Sequence, residues 1–194
     1  DITLEKKLNQ AVHSTRPDKK DMDYLGLLRE LQMDESYRYV LGLINIDGKT
    51  YYQSQFSYQD VELIKFSIKN IISDIEAEGV KIAFNSYKDK NQVLVILCSN
   101  NINYLKINSV SFFVKVYNSI VKCLGISVTI GISKLGETIG YELFRQAKEA
   151  FDQRLVYGEG KLYSYDSIAS SMNITIPQEE ISLLRKYVER CDIE

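Results

Sequence analysis

The side chains that could do metal-dependent chemistry gather at two places in the sequence. Asn45 and Asp47 end the apolar run 39–47, and Asp89 lies between two lysines in the polar stretch 85–91. A divalent metal ion needs at least two well-placed carboxylates among its oxygen ligands if it is to assist catalysis. Asp47 and Asp89 are therefore the two acids on which metal-assisted chemistry would depend.

Other kinds of catalytic or metal site find little support. The single histidine, His13, stands in a polar N-terminal stretch, which excludes a histidine-based triad and a zinc site. The three cysteines, Cys98, Cys123 and Cys191, have no metal-binding spacing, and we expect buried, reduced thiols. The sequence therefore predicts no bound metal and no cofactor.

The composition is that of an ordinary globular protein, with 45% hydrophobic and 26% charged residues among 194. A net charge of -2 argues against a large nucleic-acid-binding face. The 14 tyrosines are interpreted as scattered surface residues. No apolar run approaches the ~18–20 residues of a membrane span, and the charged N-terminus is not a signal peptide. We expect a cytoplasmic segment without membrane contact, excised from a longer protein.

Apolar runs and their periodicity predict the elements that position these side chains. The runs 37–47 and 92–98 are apolar on both faces, which is typical of inner strands of one sheet. Further strands are predicted at 80–84, 126–133 and 161–165, and helices at 58–78, 109–124 and 138–157. This order predicts an α+β sandwich: a ferredoxin-like βαββαβ core, an added α-β unit, and a mainly antiparallel five-stranded sheet.

The flanking segments complete the predicted organisation. Three parts are expected: a helical connector over 1–36, the domain proper over 37–166, and a linker with a helix over 167–194. Residues 100–103 and 167–176 are predicted loops, and a last helix begins at Pro177. Since the core helices cover one face of the sheet, the helix 21–33, the C-terminal helix or a second subunit should cover the other.

Three landmarks within 37–166 resemble the GGDEF domain of the diguanylate cyclase family. They are the strand end LINID at 43–47, the VTIGIS segment at 128–133, and the helix YELFRQAKEA at 141–150 followed by YGEG at 157–160. The resemblance covers about two-thirds of the chain. It implies the cyclase fold, with metal-binding carboxylates at the end of strand 1 and in the turn between strands 2 and 3.

The chain departs from that family where the chemistry should occur. The family's Gly-Gly-Asp/Glu-Glu-Phe signature is replaced by a turn without glycine, and a neutral amide stands at the first acidic position of strand 1. We predict no catalytic residue and no enzymatic activity. The degenerate active-site positions are Asn45, Asp47, Ser86, Tyr87, Lys88 and Asp89.

A second resemblance concerns 154–166, RLVYGEGKLYSYD. It is similar to the degenerate GGDEF-like middle domain of bacterial AraC-type transcription regulators, many of them two-component response regulators. The resemblance implies a non-catalytic signalling domain that relays a signal or dimerises. It also implies a homodimeric parent protein that contacts DNA only through a C-terminal domain outside this chain.

Two other functions compete with this hypothesis. The domain could sense a nucleotide or small ligand in a retained cleft, or it could be an active cyclase with unusual residues. Asn45 and the glycine-free turn argue against the cyclase, but the sequence does not separate sensing from relaying. Two interpretations remain for each acid. Asp47 is either a metal ligand or an acid in a turn, and Asp89 either contacts a nucleotide or belongs to a solvated hairpin tip.

Overall fold

The computed structural model describes residues 2–14, 24–48 and 58–171. The strands in these ranges are β1 Arg38–Ile46, β2 Val80–Asn85, β3 Gln92–Ser99, β4 Val128–Ile132 and β5 Leu162–Ser164. The helices are α1 Ile2–His13, α2 Tyr24–Glu30, α3 Tyr58–Asp74, α4 Ile102–Leu124, α5 Tyr141–Asp152, α6 Arg154–Tyr157 and α7 Tyr165–Ser171.

The five strands form one sheet in the order β2-β3-β1-β4-β5. Every neighbouring pair is antiparallel except β4 and β5, which are parallel. β1 and β3 lie inside the sheet and are buried along almost their whole length, as their two-sided apolar character predicts. The α+β prediction, with a mainly antiparallel five-stranded sheet, is confirmed.

Helices α3 and α4 cover one face of the sheet. Their apolar sides bury Ile68, Ile72, Phe113 and Val116 against the strands. Gly42 in β1 makes room for this contact, because a Cβ atom there would lie 2.1 Å from the Phe113 ring. The close approach explains why a glycine interrupts the apolar run of β1.

The opposite face is covered by α1, α2 and α5. Leu8 and Val12 of α1 and Leu27 of α2 are almost completely buried in this second core. The hydroxyl of Tyr24 accepts a hydrogen bond of 3.1 Å from the backbone N–H of Ile139, which ties α2 to the segment before α5. The predicted helix 21–33 therefore does cover this face in its described part. The C-terminal helix lies outside the described residues, and the three-part division of the chain remains a prediction.

Several predicted element boundaries were wrong, and the helix predicted over 58–78 ends at Asp74. α4 begins at Ile102, inside the predicted loop 100–103, because the side chain of Asn101 caps it by accepting from the N–H of Tyr104 at 3.1 Å. The predicted helix 138–157 is divided into α5 and α6 at Gln153. The predicted loop 167–176 is helical as far as the end of α7.

Candidate functional site

Asp47 lies directly after β1 and has no solvent exposure. Its Oδ1 accepts a hydrogen bond from the Thr129 hydroxyl at 2.7 Å. Its Oδ2 accepts from the Ser127 hydroxyl at 2.6 Å and from the backbone N–H of Gly160 at 3.0 Å. Both carboxylate oxygens are thus committed to internal donors, which is how a buried charged group is accommodated.

The Asp47 network joins the ends of three strands. Ser127 directly precedes β4, Thr129 lies within β4, and Gly160 precedes β5. The Thr129 hydroxyl also accepts from the Gly160 N–H at 2.9 Å, so this N–H is shared between two acceptors. Gly160 adopts φ of 74°, a left-handed conformation that favours glycine. The carboxylate therefore works as a structural link between β1, β4 and the turn before β5.

Asn45 occupies the strand position next to this link. It is 9% exposed and stands opposite Gln92 of β3 and Thr129 of β4. Its amide nitrogen donates to the carbonyl of Ile46 at 3.0 Å, and its Oδ1 accepts from the Gln92 side chain at 3.5 Å. The neutral amide is satisfied within the sheet edge and offers one oxygen rather than a charged pair.

The turn between β2 and β3 is built by its own polar side chains. Asp89 accepts from the N–H of Asn91 through Oδ1 at 2.9 Å and from the Gln92 side chain through Oδ2 at 3.2 Å. The Ser86 hydroxyl accepts from the N–H of Lys88 at 3.3 Å. Such side-chain-to-backbone bonds stabilise a tight turn without glycine. The single acid of the turn is therefore used to shape it.

Helix α1 is hydrogen-bonded to the same turn, which the sequence did not predict. The carboxylate of Glu5 accepts from the N–H of Asn85 at 2.7 Å. The amide of Asn9 donates to the carbonyl of Asn85 at 2.9 Å and accepts from the N–H of Tyr87 at 3.0 Å. Asn9 is only 2% exposed. We call this set of contacts the α1 clamp. It involves the backbone N–H and C=O of Asn85, at the end of β2, and the backbone N–H of Tyr87, in the turn.

The C-terminal end of α1 places an aromatic and basic cluster beside the turn. The ring of His13 meets that of Phe144 edge-on, with centroids 4.3 Å apart, and the ammonium of Lys88 lies 6.0 Å from the Phe144 ring. Neither ring nitrogen of His13 has a hydrogen-bond partner among the described residues. Burial, and to a smaller extent the charge of Lys88, lower the pKa of His13 to about 4. The imidazole is therefore neutral at physiological pH.

An open cleft of about 380 Å³ lies between α1, α3 and the turn. Its charged groups include a buried lysine, Lys65, whose ammonium is 2.6 Å from Glu62. The cleft is lined by Glu5, Glu62, Lys65, Asn85, Ser86, Tyr87 and Lys90. Sequence reasoning missed Glu5, Glu62 and Lys65, because no local pattern shows that α1 and α3 converge on the turn.

The structure brings most of the predicted site positions together but divides the two acids. Asn45, Gln92 and Asp89 form one hydrogen-bonded series, with Ser86, Tyr87 and Lys88 in the same turn. Asp47 bonds instead toward β4 and the turn before β5. In the ranges 2–14, 24–48 and 58–171, no three His, Cys, Asp or Glu residues group closely enough to hold a metal ion.

The remaining sequence predictions divide as follows. Cys98 is buried, as expected, and burial raises the pKa of its thiol to about 12. Cys123 is exposed, so that prediction was wrong there, because the residue lies on the outer side of α4. Cys191 is outside the described residues. None of the described helices has the length and apolar character that crossing a bilayer requires.

No family model and no curated protein matches the chain. Solved structures do. A crystal structure of diguanylate cyclase SiaD in complex with its activator SiaC, from Pseudomonas aeruginosa, matches 84% of this chain and 67% of that chain at 14% identity and a TM-score of 0.53. An X-ray structure of an EAL/GGDEF domain protein from M. capsulatus matches 66% of this chain and 84% of that chain at 18% identity and a TM-score of 0.48. The first of these matches shows that the chain has a fold distantly similar to that of a diguanylate cyclase.

Proposed function

We propose that this chain is a non-catalytic signalling domain that keeps the diguanylate cyclase fold and works by relaying a signal or by dimerising. The observation that carries the proposal is the state of Asp47. A carboxylate that binds a metal ion must present at least one oxygen lone pair to a space that the ion can reach. Asp47 instead has no exposure, and both of its oxygens accept hydrogen bonds from the protein.

The β2–β3 turn supports the same proposal. Close approach of a nucleotide phosphate to a turn requires small residues and free backbone N–H groups. Here Tyr87 and Lys88 replace small residues, and the N–H groups of Asn85 and Tyr87 already donate to α1. With Asn45 neutral and Asp89 engaged in the turn, the site lacks a pair of available carboxylates.

We place the domain in an AraC-type regulator of the response-regulator kind, where it would act as a homodimer. The resemblance of 154–166 to the middle domain of those proteins supports this context. The neighbouring sequence of the parent gene tests it directly. A receiver or sensor before residue 1 and a paired helix-turn-helix after residue 194 are expected, and an unrelated enzyme domain in either place would contradict it.

An activity assay tests the absence of catalysis. The chain is incubated with GTP and Mg²⁺ or Mn²⁺ beside an active diguanylate cyclase, and cyclic dinucleotide is measured by mass spectrometry. No product is expected. The variant Asn9→Ala, which breaks the α1 clamp, is assayed in parallel and should also be inactive. Product from this variant alone would reveal an inhibited enzyme and overturn the proposal.

The cleft beside Lys65 supports a second candidate, a nucleotide- or small-ligand-sensing domain. Lys90 offers an ammonium group there to an anionic ligand, whereas Lys65 is already paired with Glu62. A ligand at about a hundred times its Kd stabilises the folded state by about 2.7 kcal/mol. If the domain senses a nucleotide, GTP, ATP or a cyclic dinucleotide should therefore raise the Tm in a thermal-shift screen. The variant Lys90→Ala should reduce that rise. A flat response to every nucleotide removes the nucleotide form of this candidate.

A further inference from the structure

Buried polar atoms without a hydrogen-bond partner concentrate at α1 and at the β2–β3 turn. Among the described residues there are five such side-chain atoms, and the only one elsewhere is Nε of Arg154. The other four are both ring nitrogens of His13, Oδ1 of Asn85 and Oδ1 of Asn91. A buried polar group is almost always paired, because an unpaired one keeps the cost of leaving water. Docking of α1 therefore carries a cost at His13 and Asn85 that contact with water removes.

The contacts that hold α1 in place are separate from the hydrogen bonds of the sheet. Leu8, Ala11 and Val12 are buried in the core on that face, and Lys7 forms an ion pair with Glu30 of α2. The α1 clamp adds three hydrogen bonds to the turn. No residue of α1 takes part in the pairing of the five strands. The helix can therefore leave while the sheet stays paired, as units of low local stability do in native proteins.

Release of α1 changes the turn directly. The N–H groups of Asn85 and Tyr87 lose their acceptors, and the carbonyl of Asn85 loses its donor. Glu5 also lines the cleft, so its departure removes one of the two carboxylates in the cleft wall. The position of α1 and the exposure of the turn are thus two consequences of one equilibrium.

We propose that α1 is a switch helix that exchanges between a docked and a released state. In the docked state the α1 clamp closes the turn, and in the released state the backbone groups of Asn85 and Tyr87 face solvent. Apolar burial favours docking and the unpartnered polar atoms oppose it, so a modest bias on either state moves the population. The inference rests on the proposed function, because it names the element that carries the relayed signal.

Native-state hydrogen exchange of the full chain, measured by NMR in low urea, tests the switch. A free helix of 12 residues is marginal in water, so the amides of α1 exchange once it is released. The amides from Leu8 to Val12 and those of Asn85 and Tyr87 should open with one free energy and one urea dependence. That urea dependence should be smaller than in β1, because release of one helix exposes less surface than global unfolding. Exchange of α1 only by global unfolding, or opening of the turn without α1, overturns the proposal.

Two variants shift the equilibrium in opposite directions without altering the groups of the α1 clamp. V12A removes buried apolar contact and should accelerate exchange at Asn85 and Tyr87 about tenfold. H13F replaces the unpartnered imidazole with an apolar ring and should slow the same two amides about tenfold. V116A is the matched control, because Val116 is equally buried on the other face of the sheet and stays packed when α1 is released. If V116A accelerates exchange at the turn as much as V12A does, the proposal is overturned.

The exchange experiment and the activity assay separate this proposal from the proposed function. Cyclic dinucleotide produced from GTP contradicts the non-catalytic function and leaves the exchange rates of α1 and the turn as they are. Exchange of α1 only by global unfolding removes the switch and leaves the absence of catalysis standing. Circular dichroism checks that each variant is folded before its exchange is compared.

Discussion

The end of β1 and the β2–β3 turn hold the two acids that the cyclase resemblance assigns to metal binding, and they hold them in different ways. Asp47 is bonded by β4 and by the turn before β5, which are parts of the central sheet. Asp89 bonds only to its neighbours in the turn, and the turn is held from outside by α1. Freeing Asp47 therefore requires breaking contacts between strands of the sheet, whereas freeing Asp89 requires only a local rearrangement of the turn, which release by α1 would permit.

The largest effect is expected at Asp47. Replacement by alanine removes the acceptor that the hydroxyls of Ser127 and Thr129 use and one of the two acceptors of the Gly160 N–H, and we expect the free energy of unfolding to fall by about 3 kcal/mol or more. Urea unfolding followed by circular dichroism measures the change. Asp47→Asn keeps one acceptor oxygen and should lose less. A loss below about 1 kcal/mol for the alanine variant would show that the network is not a structural link.

Breaking the α1 clamp is expected to give the second largest loss of stability. Asn9→Ala removes a buried amide with bonds to Asn85 and Tyr87, and we expect a loss of about 2 kcal/mol. Hydrogen exchange should accelerate at the N–H of Tyr87 and leave the amides of β4 unchanged. Lys7→Ala on the same helix is the matched control, because its ion pair with Glu30 is largely exposed and contributes under about 1 kcal/mol. Equal losses for the two variants would contradict a specific clamp.

The sheet was predictable, because its signals are local. The two-sided apolar runs identified β1 and β3 as inner strands, and the short polar turn between β2 and β3 fixed their antiparallel pairing. The predicted helix boundaries were wrong where a single capping residue or a single helix interruption determines them. Asn101 starts α4 ahead of its strongly apolar part, and Gln153 interrupts an otherwise continuous helical pattern.

The sequence predicted where the site lies but not which residues contact one another there. Sequence position put Asn45, Asp47 and Asp89 at one end of the sheet, since strand ends and their turns are local features. It could not show that Asp47 would bond to Ser127, 80 residues away, or that Asn9 would bond to Tyr87, 78 residues away. A polar residue such as Asn9 looks like surface until the tertiary fold buries it.

The stability of α1 and of the turn that it holds should also depend on pH. The pKa of His13, lowered to about 4 from an ordinary 6.5, means that the unfolded chain binds a proton before the folded chain does. Stability should therefore fall as the pH decreases from about 6.5 toward 4. Above that window both states carry neutral histidine, and this contribution vanishes. The loss should appear first in α1, where a protonated His13 would face Lys88 beside the turn.

His13→Phe provides the control for that pH dependence. The variant keeps an aromatic ring against Phe144 but cannot be protonated, so its stability should vary less between pH 6.5 and 4.5 than that of the original protein. Carboxylates titrate in both proteins and cancel in the comparison. The measurement is urea unfolding at several pH values, with hydrogen exchange at Asn85 and Tyr87 as the local readout. Parallel pH profiles would mean that His13 does not control the clamp.

The smallest loss of stability is expected at Asp89. Comparing this loss with the loss at Asp47 measures how differently the two acids are held. Asp89→Ala removes two acceptors from a partly exposed turn, where water can replace them, so the free energy of unfolding should fall by only about 0.5–1 kcal/mol. Asp89→Asn, which keeps the Oδ1 acceptor for Asn91, should lose less still. If Asp89→Ala were as damaging as Asp47→Ala, the turn would belong to the rigid body of the sheet. Movement of α1 could then not free it.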